Sequence, residues 1–288
     1  MDTKYYKITD AIDNYHGQNT NAIDGHCFTI AEHISLYYDK GNYIREVALP
    51  TEDDQIFFKD PIGMKWHASK VILSETYSLN DPSTYAKLNL PMMSMDDASA
   101  YGHTAILDWW LKSGLKIVYT KYAIDDASRN GHIRVLDWWL HSGLELFYST
   151  WSMDDVNADA ISKIAVLNWW LKSGLPLKYS NVGIDLASGW GKIYILNWWL
   201  HEFNLPLKYS KWALDNALSN EKLDVLIWWR DSGLPLKCSD NNACNSIVAQ
   251  WQDEFKLILK YSGKIVDYKL IQQLSNDITC MRSTKKLK

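Results

Sequence analysis

Five tryptophan pairs recur along the chain: Trp109-Trp110, Trp138-Trp139, Trp169-Trp170, Trp198-Trp199 and Trp228-Trp229. Their spacing stays close to 30 residues. Self-similarity at a fixed period of this size limits the possible folds to tandem supersecondary units. Ten of the 15 tryptophans stand in these pairs, so the pairs mark the register of each unit.

Columns around the pairs divide the unit into two helices. A hydroxyl starts the first helix at Thr120, Ser149, Ser180, Ser210 and Ser239, as an N-cap does. Asp96, Asp125, Asp154, Asp185 and Asp215 form an acidic column, read as a polar face bonding the next unit's loop or as an acidic stripe that meets a basic partner. Small residues follow at Ala98, Ala127, Ala187 and Ala217, with Val156 the exception. The turn carries Gly102-His103 and Gly131-His132, then decays to Ser162-Lys163, Gly191-Lys192 and Glu221-Lys222; the histidines read as structural. The second helix stops at Gly114, Gly143, Gly174 and Gly233, with Asn204 in that column, as left-handed C-terminal caps require.

Periodicity separates the two tryptophan columns. Leu107, Trp110 and Leu111 form one stripe at i, i+3 and i+4. The second column, Trp110, Trp139, Trp170, Trp199 and Trp229, is expected in the core. The first is rotated about 100° away and expected at an exposed edge. Gly263 continues the glycine column beyond the last pair, predicting a degenerate sixth unit with helices over 242–250 and 254–261.

The first ninety residues lack the repeat. Lys4 to Thr9, Tyr43 to Leu49, Ile56 to Lys59 and Lys65 to Leu73 read as strands. Thr29 to Glu32 has capping-box spacing, predicting a helix from Ile30 to Lys40. Asp81-Pro82 marks another helix start.

The predicted class is mostly α: a helical solenoid of about six helix-turn-helix units, each resembling an ankyrin repeat, with a small N-terminal α+β domain. The expected domains are 1–80 (α+β), 81–93 (connector with a short helix), 94–266 (repeats), 267–276 (capping helix) and 277–288 (basic, flexible tail).

Composition narrows function. A net charge of −4 argues against a general nucleic-acid binder. Four scattered cysteines without a CxxC pair suit a reducing compartment and offer no zinc spacing. No stretch reaches the roughly 20 apolar residues of a membrane helix, and the start lacks a signal peptide's apolar core. The expected protein is intracellular, not secreted and monomeric, with no cofactor, metal, nucleic-acid or membrane partner. His16, His26, His33, His67, Arg45, Glu46, Asp53 and Asp54 are not organised by any catalytic motif, so no enzyme is expected.

The helix, Gly-His turn, second helix and glycine stop over about 94–266 resemble an ankyrin repeat. The unit has about 30 residues rather than 33, implying a shortened finger loop between Gly114 and Ala123. Tyr5-Tyr6-Lys7-Ile8-Thr9, His16-Gly17, the run from Gly41 to Pro50, Lys59-Asp60-Pro61, Lys65-Trp66 and Lys70 to Leu73 resemble the N-terminal region of ankyrin repeat proteins from giant DNA viruses of amoebae, the mimivirus type. That resemblance implies a viral protein acting in an infected cell, expected in the host cytoplasm, and implies no activity.

The functional expectation is a protein–protein interaction scaffold. Its candidate contact residues vary between units while the columns hold: Tyr122, Asp126, Trp151, Asp155, Trp190, Trp212 and Asn216; the competing reading is that Tyr122, Trp151, Val182 and Trp212 form one more packing column. The alternative is an adaptor whose N-terminal domain binds a ligand, recruits a host ubiquitin ligase or carries an unrecognised activity. A deep pocket lined by His, Arg and Glu would favour that alternative.

Overall fold

The N-terminal strands close on themselves. The computed structural model describes residues 3–10, 19–51, 56–61 and 63–239. Among the described residues there are six strands: β1 (Tyr5–Thr9), β2 (Asn19–Ile30), β3 (Tyr43–Ala48), β4 (Phe57–Lys59), β5 (Trp66–Leu73) and β6 (Tyr77–Ser78). Their order is β4-β5-β2-β1-β3-β6, and a further β5–β3 pairing joins Val47 to Leu73 and Ala48 to Ile72. Strands β1, β2, β5 and β3 therefore form a closed, antiparallel four-stranded barrel. Alternation, shifted by one residue between Ala68 and Val71, places Phe28, Val47, Trp66, Ala68, Val71 and Leu73 in one buried cluster. Closure removes the unpaired backbone edges of those four strands.

The expected α-helix after Thr29 is a 3-10 helix, Ala31–Lys40, and the capping box does not form. Thr29 instead donates its hydroxyl proton to the Met64 carbonyl at 2.7 Å. Strand β2 is absent from the sequence prediction.

Eleven α-helices follow among the described residues: α1 (Pro82–Leu88), α2 (Met95–Ala100), α3 (Thr104–Lys112), α4 (Tyr122–Arg129), α5 (Ile133–His141), α6 (Trp151–Asp154), α7 (Ala160–Lys172), α8 (Val182–Trp190), α9 (Ile193–His201), α10 (Trp212–Ser219) and α11 (Leu223–Asp231). Asp81 caps α1 by accepting from the Ser83 N–H. The chain divides into two units between Tyr148 and Ser149.

These findings correct the expected fold class. The chain is mixed α and β, with a closed barrel in place of a loosely defined α+β cap. The unit boundary falls inside the stretch expected to be one continuous array, so no ankyrin-like solenoid over 94–266 describes it. Five helix pairs are described, and the third is broken because α6 stops after four residues. The physical contrast lies in the small-residue column. Ala98, Ala127, Ala187 and Ala217 are fully buried within helices, whereas Val156 lies beyond the end of α6. The sixth unit, the 267–276 helix and the tail lie outside the described residues.

In the unit through Tyr148, the barrel meets α1: the Tyr6 hydroxyl donates to the Leu88 carbonyl at 2.7 Å. Pairs α2–α3 and α4–α5 are pinned by side chains. Thr120 donates through its N–H and hydroxyl to Asp96, at 2.9 and 2.7 Å. The buried Trp139 indole donates to the Ser99 hydroxyl at 2.9 Å.

In the unit from Ser149, the same device repeats. Asp154 accepts from Ser180, Asp185 from Ser210, and Asp215 from Ser239. Each of Ser180 and Ser210 also accepts the N–H two residues on, at the start of its own helix. One hydroxyl therefore caps its own helix and binds the preceding one.

In both units serine clasps close the second helices. Ser113, Ser142, Ser173 and Ser232 donate to the carbonyls of Trp110, Trp139, Trp170 and Trp229. Each accepts from the leucine after the following glycine. Gly114, Gly143, Gly174 and Gly233 are left-handed, with φ between 69° and 75°. Asn204 is not left-handed, contrary to expectation. Phe203 takes the serine place and packs its ring 4.5 Å from Trp199, so the turn is set by burial rather than by a glycine cap.

The second tryptophan of the pair is the buried one at Trp139, Trp170 and Trp229, whereas Trp198 and Trp199 are both buried. Trp110 is only half-buried, and its indole donates to the Met93 carbonyl. The first column is half-buried except Trp198, which Phe203 covers with ring centroids 5.6 Å apart.

Candidate functional site

The first residue of several helices is an exposed aromatic. Tyr122 opens α4, Trp151 opens α6 and Trp212 opens α10; they are 54%, 44% and 55% exposed. Their N–H groups donate to the hydroxyls of Thr120, Ser149 and Ser210. The capping chemistry thus fixes the backbone at these positions and leaves the side chain outside. Val182 holds the equivalent, half-buried place on α8, which packs against both α6 and α10. Lysines flank two of the rings: Lys121 Nζ lies 5.5 Å from the Tyr122 ring centroid and Lys211 Nζ 5.8 Å from that of Trp212.

The remaining candidates separate. Trp190 is 52% exposed at the end of α8. Asp126 is half-buried and ion-paired with Arg129 at 2.8 Å. Asn216 is half-buried against α8: a Cβ built on Gly189 would stand 2.9 Å from its own Cβ. That contact explains Gly189 and makes Asn216 a packing residue.

Asp155 must be corrected. It is 4% exposed and unavailable to a partner. Because α6 ends at Asp154, the backbone turns extended at Asp155, and its carboxylate accepts from the Asn157 N–H at 2.8 Å. Lys163 lies fully buried in this break and donates to the Met153 carbonyl at 3.0 Å. Burial pushes its ammonium down to about 8, against the opposing pull of the Asp155 and Asp154 carboxylates.

The turn histidines are buried structural groups. His103 is 3% exposed, and its Nε2 has no hydrogen-bond partner. Burial, then the neighbouring His132, push it down to about 4. Burial also lowers His132, opposed by its bond to the Ala100 backbone.

The dispersed polar residues of the barrel do not converge on one centre. Arg45 is fully buried and donates to the Ser74 carbonyl at 2.8 Å, whereas its neighbour Glu46 pairs outward with Lys4 at 3.1 Å. His26 meets Lys7 at 3.2 Å, and His33 lies half-buried on the 3-10 helix. His67 lies against Cys27, a partner the sequence did not suggest. His16, Asp53 and Asp54 lie outside the described residues. A groove of about 830 Å³ along the barrel is lined by Lys4, Tyr5, Glu46, Leu49, Ile72 and Glu75, among others, with no histidine. Among the described residues no group of three His, Cys, Asp or Glu side chains is placed to hold a metal ion. No described helix is long and apolar enough to cross a membrane.

No protein-family model matches the chain. It is 35% identical, over an alignment of 122 residues, to an uncharacterized protein of Acanthamoeba polyphaga mimivirus. The match covers 32% of this chain and 39% of that protein, so the chain spans well under half of the relative's length. The similarity points to a mimivirus-like origin; it carries no information about repeats or activity.

Proposed function

We propose that the chain is a non-enzymatic protein–protein interaction module of viral origin, acting on host or viral proteins in the infected cell's cytoplasm. The observation that carries this reading is the repeated exposure of an aromatic ring at the first position of a short, capped helix. Trp151 and Trp212 each leave about half of their surface in water, although neither helix needs that ring for its cap. Tryptophan and tyrosine supply large contact areas at low entropic cost and dominate binding hot spots, where truncation costs about 2 kcal/mol or more. Tyr122 and Trp190 are further contact residues; Asp126, Asn216 and Asp155 serve internal packing or pairing.

Affinity capture from infected amoebae, comparing the wild-type chain with a Trp151→Ala/Trp212→Ala variant, tests the reading. The double variant is expected to lose at least one specific partner while keeping its far-UV circular dichroism. An identical partner list from a folded variant rejects these residues as the contact site.

A further inference from the structure

Cys27 and His67 face one another across the β2–β5 ladder as Cα partners. The sulfur lies 3.3 Å from Nδ1 and 4.0 Å from Nε2 of the imidazole. Cys27 is exposed, whereas its strand neighbours His26 and Phe28 are buried. The thiol therefore projects on the solvent side of the sheet. The imidazole is held from its other side: Phe58 on β4 is also a Cα partner of His67. The two rings are stacked at 4.9 Å and 6°. Phe58 is 52% exposed, so it forms an open apolar wall beside the thiol.

We propose that Cys27 and His67 form a reactive thiol–imidazole pair that undergoes exchange with small disulfides of the glutathione type, making Cys27 a reversible thiolation site. The arrangement meets the geometric requirement for an activated nucleophile: a base within hydrogen-bond reach, oriented by a third group. Two ligating atoms are too few for a tetrahedral zinc centre, which leaves exchange chemistry as the better match.

The step balances without a further reactant. With its proton on Nε2, His67 accepts the Cys27 proton at Nδ1. The thiolate attacks one sulfur of the disulfide, forming a new S–S bond as the original one breaks. The bonding pair leaves on the second sulfur, which takes the proton from the imidazolium. The products are a mixed disulfide at Cys27 and one free small thiol. Attack by another small thiol reverses the reaction.

The test uses the full-length reduced chain, oxidised glutathione at neutral pH and peptide mass spectrometry over time. Cys27 is expected to acquire glutathione roughly tenfold faster than the half-buried Cys238. His67→Ala should slow the Cys27 reaction by about tenfold or more, within the range for loss of a general base. Imidazole added to the buffer should restore part of the rate in His67→Ala, a response that a purely structural role would not give. His67→Gln, which keeps a polar side chain against Phe58, should be as slow as His67→Ala. A Cys27 rate equal to that of Cys238 overturns the proposal. So does a rate unchanged in folded His67→Gln.

Discussion

The Ser210 hydroxyl donates to the Asp185 carboxylate at 2.6 Å while the Ser210 N–H donates to the other oxygen at 2.9 Å. Asp185 is 5% exposed, so the carboxylate loses water and gains charge-assisted bonds from Ser210 and from the Asn181 amide in its place. This junction ties α8 to the segment that starts α10. Asp185→Ala is expected to cost about 3 kcal/mol, because the part-buried Ser210 and Asn181 donors lose a charged acceptor. Ser210→Ala removes the hydroxyl's bond to Asp185 and its cap on the Trp212 N–H, and should cost about 2 kcal/mol, less than Asp185→Ala. Denaturant unfolding measures both; equal, sub-kcal losses would remove the junction as a source of stability.

Two buried tryptophans of the same unit differ in their polar atom. The Trp229 indole donates to Ser188 at 3.0 Å, whereas Trp199 Nε1 has no partner. The residue in the Ser188 column one unit earlier is Asn157, which lies past the end of α6. Both Trp→Phe changes remove similar volume, but only Trp229→Phe breaks a hydrogen bond. Trp199→Phe should therefore be less destabilising by about 1–2 kcal/mol. The same unfolding assay checks this, and an equal or larger loss for Trp199→Phe would refute it.

His103 gives the fold an acid sensitivity. Its folded-state value of about 4 lies below the ordinary 6.5. Between those pH values the unfolded chain binds more protons, so stability falls as pH drops and levels off below about 4. The full effect is about 3 kcal/mol. His103→Gln should flatten most of this slope in unfolding curves taken from pH 7 to 4, leaving the smaller contribution of His132 in the same direction. An unchanged slope would contradict the burial argument.

Lys163 acts in the alkaline range. Its ammonium is pushed down to about 8 from 10.5. The unfolded chain binds more protons between those values, so stability rises with pH across that window. Lys163→Met should abolish the rise, as measured by unfolding at pH 7.5, 9 and 10.5. A rise of the same size in the variant would place its origin elsewhere.

Glu221 carries strain that its column relatives avoid. Its φ is 56°, whereas Gly102, Gly131 and Gly191 hold the equivalent positions at 76° to 82°. A side chain in this left-handed region costs about 1 kcal/mol. Glu221→Gly should raise stability by about that amount, and Gly191→Ala should lower it similarly. Thermal unfolding of the pair checks both signs.

The sequence made the helix pairs legible because hydroxyl, aspartate, alanine and glycine columns repeat with the tryptophans. The buried column was readable from helical spacing at Trp139, Trp170 and Trp229, where a rotation of about 100° separates adjacent residues, but not at Trp110, half-buried like Trp109, or at Trp198, buried like Trp199. The barrel was not readable as a closed sheet. Strand β2 runs through Asn19, Asp24 and Gly25 without clean alternation, and its pairing with β5 is set across a long separation. Cys27 and His67 become neighbours only through that register. Asp155 looked like a variable surface position; the break of α6 beside Val156 turned it inward. Phe203 gave no cap signal, so the departure of Asn204 from a left-handed turn was equally hidden.

The interaction reading rests on Trp151 and Trp212 contributing binding energy rather than fold stability. The most direct measurement is the affinity of a purified captured partner for the wild-type chain and for Trp212→Ala, by isothermal titration. Loss of a hot-spot ring predicts a dissociation constant weaker by about 30-fold, equivalent to about 2 kcal/mol. An affinity unchanged within about twofold, with the variant folded, would contradict the account.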